Sequence, residues 1–124
     1  MKKVILDTSF ILDAVKFKID LDDIMNIINQ PYEILIPDAV IHELMQIAKN
    51  KGKTGSNAKV ALEIIKKKKF KLIKTSETSA DRAILTVADK DVIVGTSDKK
   101  LKESLKKRNI NLILVRAKKH LSMG

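Results

Sequence analysis

The chain has 124 residues, 44% hydrophobic and 32% charged, a length that suits one ordinary hydrophobic core and a composition that is neither disordered nor fibrous. It has no cysteine and only two histidines, far apart in sequence; this excludes disulfides, thiolate nucleophiles and Cys-type zinc sites, so any metal must be held chiefly by oxygen. Against 15 Asp and Glu stand 25 Lys and Arg, a formal net charge of +10 that attracts phosphate backbones, although lysine spread over solvated helix faces would give the same sum.

No apolar run approaches the ~18 residues needed to cross a bilayer. The start, Met1-Lys2-Lys3-Val4-Ile5-Leu6-Asp7, meets a charge before a signal-peptide core could form, so a cytosolic location is expected. Residues 2–6 form a mostly apolar run ending at Asp7, the pattern of a strand buried on both faces. Ile11, Leu12 and Val15 then recur at helical spacing, as do Leu21, Ile24, Met25, Ile27 and Ile28, with Asp20, Asp22 and Asp23 favouring a helix start.

Tyr32 to Ile36 reads as a second strand closed by Pro37, and Asp38 is placed to cap a helix with Val40, Ile41, Leu44, Met45, Ile47 and Ala48 inward and Glu43 upon it. Lys49 to Ser56 is Gly- and Lys-rich and reads as an exposed loop, followed by a helix through Val60, Ala61, Leu62, Ile64 and Ile65. Phe70 to Ile73 is a third strand. Thr78 or Ser79 caps a helix with Asp81 in its first turn and Ala80, Ala83, Ile84, Val87 and Ala88 buried. Val92 to Thr96 gives a fourth strand, Ser97 and Asp98 open a helix with Leu101 and Leu105 inward, and Leu112 to Val115 gives a fifth strand. The basic tail after Arg116 reads as loose.

Strands separated by helices imply right-handed crossovers and a parallel sheet covered on both faces, an α/β fold in the form of a three-layer α/β/α sandwich, with residues 1–124 as one domain. Ligands of such sheets bind at the carboxyl ends of the strands. Asp7 ends the first strand and Asp98 follows the fourth, so parallel strands would bring both to one edge. Glu43 and Asp81 reach that edge only if the helices that carry them return across it, and spacing alone does not show that they do.

The segments Leu6-Asp7-Thr8-Ser9-Phe10-Ile11, Ile41-His42-Glu43-Leu44, Ser79-Ala80-Asp81-Arg82-Ala83-Ile84-Leu85 and Thr96-Ser97-Asp98-Lys99-Lys100-Leu101 together resemble the PIN domain, over nearly the whole chain. The resemblance implies a five-stranded sheet of order 3-2-1-4-5 and a metal-dependent endoribonuclease. It also implies an acidic pocket in which Asp7, Glu43, Asp81 and Asp98 hold one or two Mg²⁺ or Mn²⁺ ions, supported by hydrogen bonds from Thr96, Thr8 and Ser9. Family members often carry Asn where this chain has Ser97, and some carry a further acid where Arg82 stands; neither departure removes a principal acid. The family includes toxins of the VapC-like kind, neutralised by a small antitoxin, and rRNA-processing nucleases that act on ribosome precursors, and its members commonly pair as homodimers.

This chemistry suits the residue types. Four neighbouring carboxylates repel and raise one another's pKa unless a cation neutralises them, and Mg²⁺, a hard ion that keeps several waters, leaves room for a phosphate oxygen and an attacking water. Asp7 and Asp98 are the expected ligands, with Glu43 and Asp81 completing or orienting the site. RNA contact is expected from Lys49, Lys51 and Lys53 in the loop and from Arg82 and Lys99 at the rim. The four aromatics, Phe10, Phe17, Tyr32 and Phe70, are assigned to the core, which leaves no base-stacking platform. Asp20, Asp38 and Asp89 read as caps or surface acids, His42 as a solvated helix position, Lys66 to Lys69 as cations at a helix end, and the methionines as core filling. The rival reading is a catalytically inactive RNA-binding or ribosome-assembly factor that keeps the fold.

Overall fold

The structure, a computed structural model, describes residues 1–124. Six strands form one sheet: β1 (Lys2–Leu6), β2 (Tyr32–Pro37), β3 (Lys71–Ile73), β4 (Val92–Gly95), β5 (Asn111–Arg116) and β6 (His120–Met123). Their order is β3-β2-β1-β4-β5-β6. The first five run parallel and β6 is antiparallel to β5. The helices are α1 (Thr8–Lys16), α2 (Asp38–Ile47), α3 (Lys53–Lys67), α4 (Ala80–Val87) and α5 (Lys99–Lys107), with a 3₁₀ segment at Leu21–Asn26.

The central strands are short apolar runs because both faces are covered. Along β1, Val4 and Leu6 join one hydrophobic cluster with Phe10, Ile11, Ile36, Val40, Leu44 and Ala61, whereas Ile5 points the other way, to Leu35, Ile84, Val94, Leu101, Leu105 and Leu112. This alternation is the period of two of a pleated strand. It splits the core into two clusters, the larger packed by α1, α2, α3 and by Ala80 and Ala83 of α4, the smaller by Ile84 of α4 and by α5, and the three-layer sandwich expected from the strand and helix pattern is present.

Several local expectations are corrected. The sheet has six strands rather than five, and the tail expected to be loose folds back as β6, with Val115 opposite Leu121 and Arg116 opposite His120. The turn between them carries Ala117 and Lys118 at φ of 53° and 56°, and Lys119 N donates to Arg116 O at 3.0 Å. Two central residues at positive φ mark a type I′ turn, normally announced by Asn-Gly or Asp-Gly; Ala-Lys carries no such signal. The exposed loop is shorter than read: Lys53 opens α3, and Gly55 is buried in its first turn, where a Cβ would collide with the carbonyl of Asn50. Met25 and Met45, expected to fill the core, are 63% and 51% exposed.

Leu121 is 7% exposed and packs into the larger cluster, which anchors β6. Leu121→Ala should lower stability by about 2 kcal/mol, toward the low end for buried Leu→Ala changes, read as a lower urea midpoint with an unchanged slope. A tail that contributes nothing to the core would leave the midpoint where it was.

Candidate functional site

β1 and β4 are parallel neighbours with Leu6 opposite Gly95, and Asp7 N donates to Gly95 O at 2.9 Å. The residues that follow each strand therefore leave the sheet at one edge. Glycine at position 95 permits this close approach: a Cβ there would stand 2.9 Å from Leu6 Cδ2 and 3.2 Å from the Phe10 ring. Asp7 is 5% exposed and Thr96 is fully buried. Thr96 Oγ1 and Ser9 Oγ both donate to Asp7 Oδ2, each at 2.9 Å. Each hydroxyl is itself fixed by a backbone amide, Asp98 N donating to Thr96 Oγ1 and Ser97 N to Ser9 Oγ, both at 3.1 Å.

The position of Glu43 answers what spacing could not. From α2 its Oε1 accepts from Thr8 Oγ1 at 2.8 Å and its Oε2 from Ala80 N at 3.0 Å. One carboxylate thus ties the start of α1 to α2 and to the start of α4. Ser79 holds the N-cap position of α4 without a side-chain capping bond, so Glu43 serves that terminus from outside, where an acid also complements the positive end of the helix. Asp81 follows in the first turn of α4. Asp98 caps α5, its Oδ1 accepting from Leu101 N at 2.9 Å. Asp7, Glu43, Asp81 and Asp98 line one open cleft of about 390 Å³ with Thr8, Ser9, Leu12 and Ala80.

Burial pushes the Asp7 carboxyl above the usual range and the Glu43 charge adds to the rise, against hydrogen bonds from Thr96, Ser9 and the Thr8 amide. A nearby cation would favour the ionised form. The donors on offer are carboxylate and hydroxyl oxygens, which fit a hard divalent ion. No three acids or histidines form a ready-made ligand group. Mg²⁺ does not require one, because it retains several waters and is typically bound through one or two carboxylates.

The cations expected at the site are not part of its lining. Lys49 and Lys51 are exposed between α2 and α3, Lys53 is the exposed first residue of α3, Arg82 is exposed beside Asp81, and Lys99 is the exposed first residue of α5. Leu12 and Ala80 were not anticipated; an inward apolar residue and a backbone amide leave no chemical mark in a sequence. Asp38, expected to cap α2, is its first residue instead, with Pro37 at the cap position; its Oδ1 accepts from Ala39 N, Thr75 N and Thr75 Oγ1, tying α2 to the segment after β3. Within the Lys66 to Lys69 run, Lys68 is committed to Asp22 at 2.8 Å and Asp20 at 3.6 Å.

Residues 4–118 match the model of a family described as PIN like domain. The chain is 36% identical to Ribonuclease VapC4 of Methanocaldococcus jannaschii, over 99% of this chain and 97% of that protein. Among solved structures it is similar to the PIN domain endonuclease Utp24, with a TM-score of 0.76 and 28% identity over 97% of this chain and 90% of that one. A domain of a functionally unknown protein from M. jannaschii has the same fold, with a TM-score of 0.61 and 21% identity over 94% and 93% of the two chains.

The raised pKa of Asp7 has a consequence for stability. An acid whose folded pKa exceeds its unfolded value of about 3.9 makes folding less favourable as pH rises from the unfolded to the folded pKa, and the deficit persists above both. Metal-free Asp7→Asn, which cannot ionise, should therefore melt above the parent protein at pH 7, with the gap closing as pH falls toward ~4. Thermal unfolding in EDTA at the two pH values checks this; a variant that melts lower at pH 7 would contradict it.

Proposed function

This chain belongs to the PIN-like domain family, and from that membership we propose that it is a metal-dependent endoribonuclease, hydrolysing RNA phosphodiester bonds as a toxin-like ribonuclease or in rRNA processing. The observation that carries the reading is the convergence of Asp7, Glu43, Asp81 and Asp98, from four separate segments, on one cleft at the carboxyl edge of the sheet. The relative named a ribonuclease and the structural neighbour named an endonuclease support it.

In this reading Asp7 and Asp98 would hold a Mg²⁺ or Mn²⁺ ion, and Asp81, in the first turn of α4, would complete or orient the site. Glu43, both of whose oxygens are engaged by Thr8 and Ala80, sets the spacing of α1 against α4 and adds negative charge. Thr96 and Ser9 orient Asp7 by fixing one of its oxygens, the supporting role outer-shell hydroxyls play around metal ligands. When bound, the divalent ion supplies charge neutralisation and Lewis-acid activation for water and phosphate. Hydrolysis adds water across the P–O3′ bond, leaving a 5′-phosphate and a 3′-hydroxyl. Arg82 and Lys99, next in sequence to Asp81 and Asp98, and Lys49, Lys51 and Lys53 contribute positive charge toward the RNA backbone without reading bases.

The reading extends to the setting of the protein. Residues 1–124 act as one domain and pair as a homodimer in the cytosol, with an antitoxin or a ribosome precursor as partner. No helix is long and apolar enough to cross a membrane.

Asp7→Asn and Asp81→Asn should each lower RNA cleavage in Mn²⁺ by more than about 100-fold, beyond the 10–100-fold expected for an outer-shell change such as Thr96→Val. EDTA should abolish cleavage and added Mg²⁺ or Mn²⁺ restore it. Undiminished cleavage by Asp7→Asn would overturn the assignment. Calorimetry that finds no Mn²⁺ binding to the parent protein would favour the inactive RNA-binding factor. Growth arrest on expression would separate a toxin from a processing enzyme.

A further inference from the structure

A second cavity, of about 520 Å³, lies beside the acidic cleft. Thr96 and Ser97 belong to its lining, and Thr96 is the residue whose hydroxyl holds Asp7 in the neighbouring cleft. The remaining walls come from α1, α5 and the β5–β6 turn and include Asp13, Phe17, Lys102, Arg116 and Lys118. Three cations against one acid leave the groove net positive, in contrast to the cleft on the other side of Thr96.

Two of these cations have partners within the chain. Arg116 Nε donates to Ser122 Oγ at 3.0 Å across the hairpin, which leaves its terminal nitrogens without an intramolecular bond. Lys118 Nζ stands 5.9 Å from the centre of the Phe17 ring, which Lys16 Nζ also approaches at 5.4 Å, within reach of cation–π attraction. Phe17, assigned from sequence to the core alone, thus has one face of its work outside it.

Resting on the nuclease reading above, the geometry points to this groove as the seat of the substrate strand on one side of the bond to be cut. Lys102, Arg116 and Lys118 pair with successive phosphates of a single-stranded polynucleotide while the scissile phosphate lies over Asp7 and Asp98. The contacts are to phosphate, so they position the strand and carry no sequence preference. Asp13 in the wall opposes an anion and limits the affinity. The expected RNA cations Lys49, Lys51 and Lys53 are auxiliary in this arrangement.

The test uses the full chain, a fluorescein-labelled single-stranded RNA of mixed sequence, and two variants that each remove three positive charges. One is Lys102→Ala, Arg116→Ala, Lys118→Ala in the groove. The other is Lys59→Ala, Lys66→Ala, Lys67→Ala on the exposed face of α3, a control for net charge. Circular dichroism confirms that both fold. The groove variant should raise the KM for RNA by roughly one to two orders of magnitude at low salt, with a much smaller change in kcat, and should reduce the slope of log affinity against log salt by about 2, roughly 0.7 for each lost phosphate contact. The α3 variant should do much less of either. Equal weakening by both variants, or a groove variant with the parent's KM and salt slope, overturns the groove and leaves the nuclease reading standing. Groove-dependent RNA binding without cleavage in Mg²⁺ or Mn²⁺ upholds the groove and overturns the nuclease. A parent protein that binds no RNA overturns both.

Discussion

The Asp7 carboxylate sits at the end of β1, nearly out of contact with water, and much of the surrounding architecture is what that position demands. Taking an anion out of water is unfavourable unless hydrogen bonds or a counter-charge compensate. Part of the compensation is built in, since the hydroxyls of Thr96 and Ser9 meet one oxygen and are braced by the amides of Asp98 and Ser97. Those hydroxyls arrive there only because β4 lies beside β1 in parallel register, and that register needs a residue without a side chain at position 95. What remains is an unfavourable charge at the strand end, the feature on which the proposed cation site rests.

Glu43 extends the same logic from one strand end to the whole edge. It lies midway along α2 and spends its two oxygens on α1 and α4, so the spacing of three helices is read through one side chain. A helix N-terminus normally finds its acceptor in its own cap residue. Here α4 borrows one from α2, and the helix that carries Asp81 cannot shift without disturbing Glu43. The acidic cleft and the packing of the helical layer are therefore one arrangement.

The residues divide clearly into those whose placement could be read from sequence and those whose placement could not. Apolar runs and helical spacing are local signals, and they are enough for β1 to β5 and for α1 to α5, hence for bringing Asp7 and Asp98 to one edge, although the helix expected through Leu21 to Ile28 is only the short 3₁₀ segment Leu21–Asn26. The meeting of Glu43 with Asp81 depends on where two helices cross the sheet, a non-local property that no spacing encodes; only resemblance to a family anticipated it. β6 was missed because Ala117-Lys118 lacks the turn chemistry that marks a hairpin, and the groove beside it went with it. Lys102, Arg116 and Lys118 look in sequence like any other members of a lysine-rich surface. Met25 and Met45 occupy apolar positions of helical patterns yet face water, because the pattern reports a stripe wider than the face that is covered.

Reversing the direction of the last strand also bears on how this molecule can change over generations. A sixth parallel strand would require a long crossover to return to the starting edge, whereas a hairpin reverses within a few residues and leaves its tip at the carboxyl edge of the sheet. Tips of this kind accept insertions and deletions that strands do not. At this rim next to the acids the chain can be lengthened, shortened or recharged while β1 and β4, and the carboxylate between them, stay as they are.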